Sequence, residues 1–137
     1  MIEDVPMRRA SIVLALLLSA CATVQPRVSE AVLADRLFCG LTIPGGGEIA
    51  EAEWRAFVAE EVTPRFPDGL TIWRAEGQWR GADGVIVREP TLIIEILHAY
   101  DLRIDREIVE IAEAYRQRFR QESVLRVTMP ARMEFID

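Results

Sequence analysis

Two hydrophobic periods alternate along this chain, and their order predicts the fold. Leu37, Cys39, Leu41 and Ile43 alternate with Phe38, Gly40 and Thr42, the period of two of a strand. After the loop Pro44-Gly45-Gly46-Gly47 the period lengthens. Trp54, Phe57, Val58 and Val62 share one stripe with Glu61, which predicts a helix from Ile49 to Val62, stopped by Pro64 and Pro67. A second strand is expected from Leu70 to Arg80, with Gly77 marking a bulge or kink. The turn Gly81-Ala82-Asp83-Gly84 returns the chain into a third strand, Val85 to His98, which Pro90 is expected to interrupt. Asp105 is the expected cap of a second helix with the apolar stripe Ile108, Ile111, Ala112, Tyr115 and Phe119. Arg116, Arg118 and Arg120 suit its C-terminal end, where the helix dipole favours cations. Val124 to Met129 reads as the fourth strand, extended beyond Pro130 by Met133 to Phe135.

The order β-α-β-β-α-β predicts an α+β, ferredoxin-like fold: a four-stranded antiparallel sheet, strand order 4-1-3-2, with both helices on one face. A doubly wound α/β sheet is the alternative; two helices and a long hairpin speak against it. Strict alternation assigns Leu37, Cys39, Leu41, Leu92, Ile94, Ile96, Leu125, Val127 and Met129 to the helix side. It leaves Phe38, Gly40, Thr42, Ile93, Glu95, Leu97, Arg126 and Thr128 on the open side, where a Glu95–Arg126 ion pair is expected.

The start of the chain follows a different pattern. Arg8-Arg9 precede an apolar run from Ser11 to Leu18 that is too short to span a bilayer as a helix. It leads into Leu18-Ser19-Ala20-Cys21, which resembles the bacterial lipobox. Residues 1–20 therefore read as a signal peptide, Cys21 as the acylated residue, residues 21–35 as a tether and residues 36–137 as one domain. An ordinary signal peptide with a chance cysteine is the alternative. Glu3 and Asp4 do not suit a positive leader, so Met7 competes with Met1 as the start. Ala22, where the enterobacterial sorting rule has Asp for retention at the inner membrane, points to the outer membrane, facing the periplasm.

Composition narrows the chemistry. The net charge of −6 over 137 residues disfavours nucleic acid as a partner. Every basic residue is Arg, which removes lysine Schiff bases and the P-loop lysine. His98 stands alone and Cys21 and Cys39 are far apart, so no paired-His metal site or CxxC pair exists. Asp101, Asp105 and Glu107 lack the glycine and terminal Glu of a calcium loop. No metal and no cofactor are implied. Cys39 reads as a buried, inert thiol, His98 as structural, Arg65 as a partner for helix-end carbonyls and Gln121-Glu122-Ser123 as a polar junction. The candidate ligand- or partner-binding residues are Phe38, Trp79, Arg80, Glu95 and Arg126, with Arg80 beside Trp79 as an anion holder. No catalytic residue stands out.

Four blocks carry a resemblance: Glu53-Trp54 with Phe57; Pro64 to Thr71; Gly77-Gln78-Trp79-Arg80; and Arg118 to Arg126. Together they resemble the bacterial lipoproteins grouped as domain of unknown function 3574, over roughly Leu37 to Val127. Phe38-Cys39-Gly40 departs mildly from the aromatic-Phe-Gly run expected there. The resemblance implies a location in the cell envelope and the domain boundaries, and implies no catalytic residue. The expected function is a non-catalytic envelope lipoprotein that binds a small ligand, a second copy or an envelope partner through its open sheet face. The alternative is a small enzyme of the dimeric α+β barrel type. Metabolic labelling with a palmitate analogue should mark the wild-type chain and leave Cys21→Ala unmarked; equal labelling would refute acylation at Cys21.

Overall fold

The computed structural model describes residues 29–136, so the expected signal peptide and Cys21 lie outside the described residues. The elements are β1 (Glu30–Gly40), α1 (Glu51–Phe57) running into a π-helical turn (Val58–Val62), β2 (Thr71–Arg80), β3 (Ile86–His98), α2 (Leu102–Arg118) and β4 (Leu125–Met133). All pairings are antiparallel and the sheet order is β2-β3-β1-β4. This is the expected α+β architecture and strand order. Among the described residues no helix is long and apolar enough to cross a membrane.

The core lies between the helices and one sheet face. Leu37, Cys39 and Leu41 from the first strand region and Leu92, Ile94 and Ile96 from β3 meet Trp54, Phe57, Val62, Ile108, Ile111, Tyr115 and Phe119. Phe57 meets Tyr115 edge to face, 5.2 Å between ring centroids, and the Tyr115 hydroxyl donates to the Gly40 carbonyl at 2.9 Å. Cys39 is buried as expected, and burial pushes its thiol well above the usual range, away from the reactive thiolate.

The π-turn explains a detail of the helical stripe. The Thr63 N–H donates to the Val58 carbonyl, five residues back, so the turn is one residue wider than an α-turn. That extra residue brings both Phe57 and Val62, five positions apart, into the core with no exposure.

Several boundaries differ from the sequence pattern. β1 begins at Glu30 rather than Leu37, so residues 30–35, expected in the tether, form the first half of a central strand. Their pattern hides the strand because Asp35 sits among the small residues Ala31 and Ala34. β1 also stops at Gly40 and not at Ile43. The cap of α2 is Asp101, whose carboxylate accepts from the Arg103 N–H at 2.6 Å; Asp105 instead bonds Arg126.

Pro90 does not break β3, which runs unbroken to His98, and β4 likewise runs through Pro130. Pro90 lies opposite Leu41, just past the end of β1. The Leu41 N–H donates to the Pro90 carbonyl, while the Leu41 carbonyl accepts from Ile49 N–H at 2.8 Å. Ile49 supplies the donor that proline lacks, so the Leu41 carbonyl keeps a partner.

The faces of β4 are the main correction. Leu37 pairs with both Ile94 and Arg126, and Arg36 with both Glu95 and Val127. Residues directly opposite share a face, so Arg126 and Thr128 point to the helix side. Leu125, Val127 and Met129 point to the open side, and Glu95 and Arg126 lie on opposite faces. The expected Glu95–Arg126 pair does not exist. Glu95 accepts from Arg36 at 2.7 Å, and Arg126 serves Asp35. Apolar alternation misled here because a buried carboxylate, and not the apolar core, determines which side of β4 turns inward. Phe57→Ala, which removes a fully buried ring, should cost about 3–5 kcal/mol in urea unfolding; a loss under about 1 kcal/mol would contradict this packing.

Candidate functional site

Two buried carboxylates stand out, and they differ in their company. Asp35, with no exposure, accepts from Arg126 Nε at 2.7 Å and Nη2 at 2.9 Å. It also accepts from the Thr128 hydroxyl and lies 2.7 Å from His98 Nε2. The other ring nitrogen of His98 faces the Ala99 carbonyl at 2.8 Å, so both ring nitrogens are engaged within the fold. Burial alone would raise the Asp35 pKa, but Arg126, Thr128 and His98 outweigh it and bring it down to about 2.

Glu89 is 9% exposed and sits on the open face. Its carboxylate accepts from Trp79 Nε1–H at 2.8 Å and from the Thr42 N–H at 3.2 Å. Two glycines make room for it and for Thr91 beside it. A Cβ on Gly40 would come within 2.6 Å of the Glu89 carboxylate, and one on Gly77, directly across from Glu89 on β2, within 2.3 Å of Thr91 Oγ1. Gly77 thus serves close side-chain passage within an uninterrupted strand, in place of the bulge or kink that the sequence predicts.

A cleft of about 320 Å³ opens over Glu89. Phe38, Ile93, Trp79 and Leu125 are its apolar walls, and Gln121, Glu122 and Ser123 form its rim. Gln121 is itself held, donating to the Thr42 carbonyl at 2.9 Å, which fixes the rim against the end of β1. A second, wider groove of about 790 Å³ lies at the opposite end of the sheet. Its arginines are matched locally: Arg65 bonds the Glu61 carbonyl and carboxylate, as expected for a helix-end partner, and Arg103 bonds Glu107.

Of the sequence candidates, Phe38 and Trp79 meet in the first cleft. Glu95 lies on the same face but borders the second groove. Arg80 follows Trp79 on β2, so the pleat turns it to the opposite face and it is not the anion holder beside that ring. Arg126 is bound to Asp35 on the helix side. Sequence reasoning missed Glu89 and Asp35. The signal for Glu89 was its place two residues past Val87, which faces Trp79 across the hairpin, and opposite a glycine. Among the described residues no three His, Cys, Asp or Glu side chains are placed to hold a metal ion.

Residues 34–135 match the family described as "Protein of unknown function (DUF3574)". The chain belongs to this family. The family does not by its description assign a location or an activity. No curated protein matches. Among solved structures, a phage SAM lyase in complex with S-methyl-5'-thioadenosine has a TM-score of 0.61 at 15% identity, over 76% of this chain and 90% of that one. A phage SAM lyase in the apo state has a TM-score of 0.59 at 16% identity, over 84% of this chain and 97% of that one. At such identities the likeness is one of fold.

The depressed pKa of Asp35 has a definite sign. Its contribution, about 2 kcal/mol, is present above the ordinary value of 3.8 and is lost as pH falls through about 2. Urea midpoints should fall over that window in the wild type. Asp35→Asn, already destabilised by about 3–5 kcal/mol, should lack this part of the acid dependence; an unchanged acid profile in the variant would refute the assignment.

Proposed function

We propose that the chain is a lipid-anchored envelope protein whose domain binds a small ligand in the open-face cleft over Glu89. The binding half rests on one observation: a preorganised polar group at the floor of a concave space of about 320 Å³ with apolar walls and a polar rim. Ligand sites of small molecules have this character, a few fixed polar atoms in an apolar cleft of roughly 300–1,000 Å³. Trp79 Nε1 and the Thr42 N–H hold the Glu89 carboxylate in place before any ligand arrives. The anchor half rests on Leu18-Ser19-Ala20-Cys21 after its apolar run, and an outer-membrane location on Ala22.

The same-fold neighbours are named as SAM lyases, and one holds S-methyl-5'-thioadenosine. That supports placing nucleoside thioethers first in a ligand panel and lends weaker support to an enzymatic reading. No Ser, Cys or His in the cleft has a base or acid arranged to activate it, which favours binding. Leu125 is 59% exposed at the cleft wall, so a larger side chain there fills the cleft with little cost to the core. Thermal unfolding of the full chain against the panel should show ligands that raise the midpoint by several degrees in the wild type and not in Leu125→Trp. Equal shifts in both proteins, or none in either, would place the function elsewhere.

A further inference from the structure

We infer that the ligand of this cleft is a small organic cation, its positive centre resting on the Glu89 carboxylate; this deepens the binding reading above and rests on it. The first argument is a missing countercharge. Asp35 has Arg126 against it, and the half-buried Glu95 has Arg36. Glu89 is as deeply placed as His98, yet its partners are two neutral N–H groups. Among the described residues it forms no ion pair. A carboxylate offers about four acceptor sites, and two bonds leave capacity facing the cleft. Burying a carboxylate without a cation is costly, and a cationic ligand removes that cost.

The second argument is the composition of the lining. Glu89 and, at the rim, Glu122 border the cleft and no Arg does, in a chain with 16 basic residues; Glu76 borders it too, but the pleat of β2 turns its side chain to the face opposite Trp79. The nearby arginines are engaged elsewhere. Arg88 Nε donates to Gln78, and Arg36 lies over the Trp73 ring while held by Glu95. An anion entering this cleft would meet two like charges, Glu89 at the floor and Glu122 at the rim.

The third argument distinguishes an organic cation from a metal ion. Calcium takes six to eight oxygen ligands, and magnesium demands an octahedron. The cleft offers one buried carboxylate and walls made by Phe38, Ile93, Trp79 and Leu125. Apolar walls suit alkyl groups around a quaternary or sulfonium-type centre, and aromatic rings attract such cations.

Choline and its uncharged isostere 3,3-dimethyl-1-butanol test this directly. Titrations of the full chain are followed by NMR at the Trp79 indole N–H, which lies on the Glu89 carboxylate. Choline should bind at least about tenfold more tightly than the alcohol. Glu89→Gln should remove most of that preference, leaving only the smaller share owed to Glu122, since the amide oxygen still accepts one bond while the charge is gone. Glu122→Gln, at the exposed rim, leaves the buried framework intact and should reduce the preference by a smaller factor, which keeps the test open if Glu89→Gln fails to fold. Equal binding of the two probes, abolished for both by Leu125→Trp, would overturn the charge inference and leave the cleft reading standing. Neither probe moving the indole signal at millimolar concentration, or Leu125→Trp leaving their binding unchanged, would overturn both.

Discussion

The carboxylate of Asp35 is the constraint on which much of this molecule depends. A buried charge without partners is among the most costly things a fold can contain. Here the demand is met by β4, which turns Arg126 and Thr128 inward against it, and by His98 at the end of β3. Arg126 reaches further and bonds Asp105 in the first turn of α2 at 2.8 Å. One group thus ties together β1, β3, β4 and α2. It also decides which side of an edge strand faces in, a choice that an apolar core would have made the other way.

That choice shapes the opposite face. With Arg126 and Thr128 inward, Leu125, Val127 and Met129 are outward, and Leu125 becomes a wall of the cleft over Glu89. The other wall comes from the β2–β3 hairpin, where Gly77 gives Thr91 room to lie close to the sheet, as Gly40 at the end of β1 does for Glu89. The two sheet faces are therefore chemically linked. An ion-paired carboxylate on the helix side fixes the strand that encloses an unpaired one on the open side.

The element order, the strand order and the core of β1, β3 and both helices were legible in the sequence, because Leu37, Ile94, Ile108 and Tyr115 follow the periods of buried strand and helix. The ends were less legible. β1 was shortened by seven residues because Asp35 reads as a polar, flexible position when its partners, 91 residues away, are invisible. Pro90 reads as a break because its substitute donor, Ile49, comes from a loop. The candidate site was half legible. Phe38 and Trp79 signalled themselves as aromatics on the uncovered face. Glu89 did not, since a carboxylate beside an arginine and a proline looks like an ordinary solvated residue until the glycines across from it are placed.

The span between Asp35 and Arg126 also bears on how the chain is made. Synthesis proceeds from the N-terminus, so the central strand emerges long before the guanidinium that neutralises it. The β2–β3 hairpin, closed by a short turn, needs no distant partner and forms at low entropic cost, whereas docking β4 requires closing a loop of most of the domain. Until then the sheet would have to enclose a bare negative charge. Closing the sheet around Asp35 therefore waits on β4, so the charge that is most costly to bury is enclosed only when its guanidinium arrives.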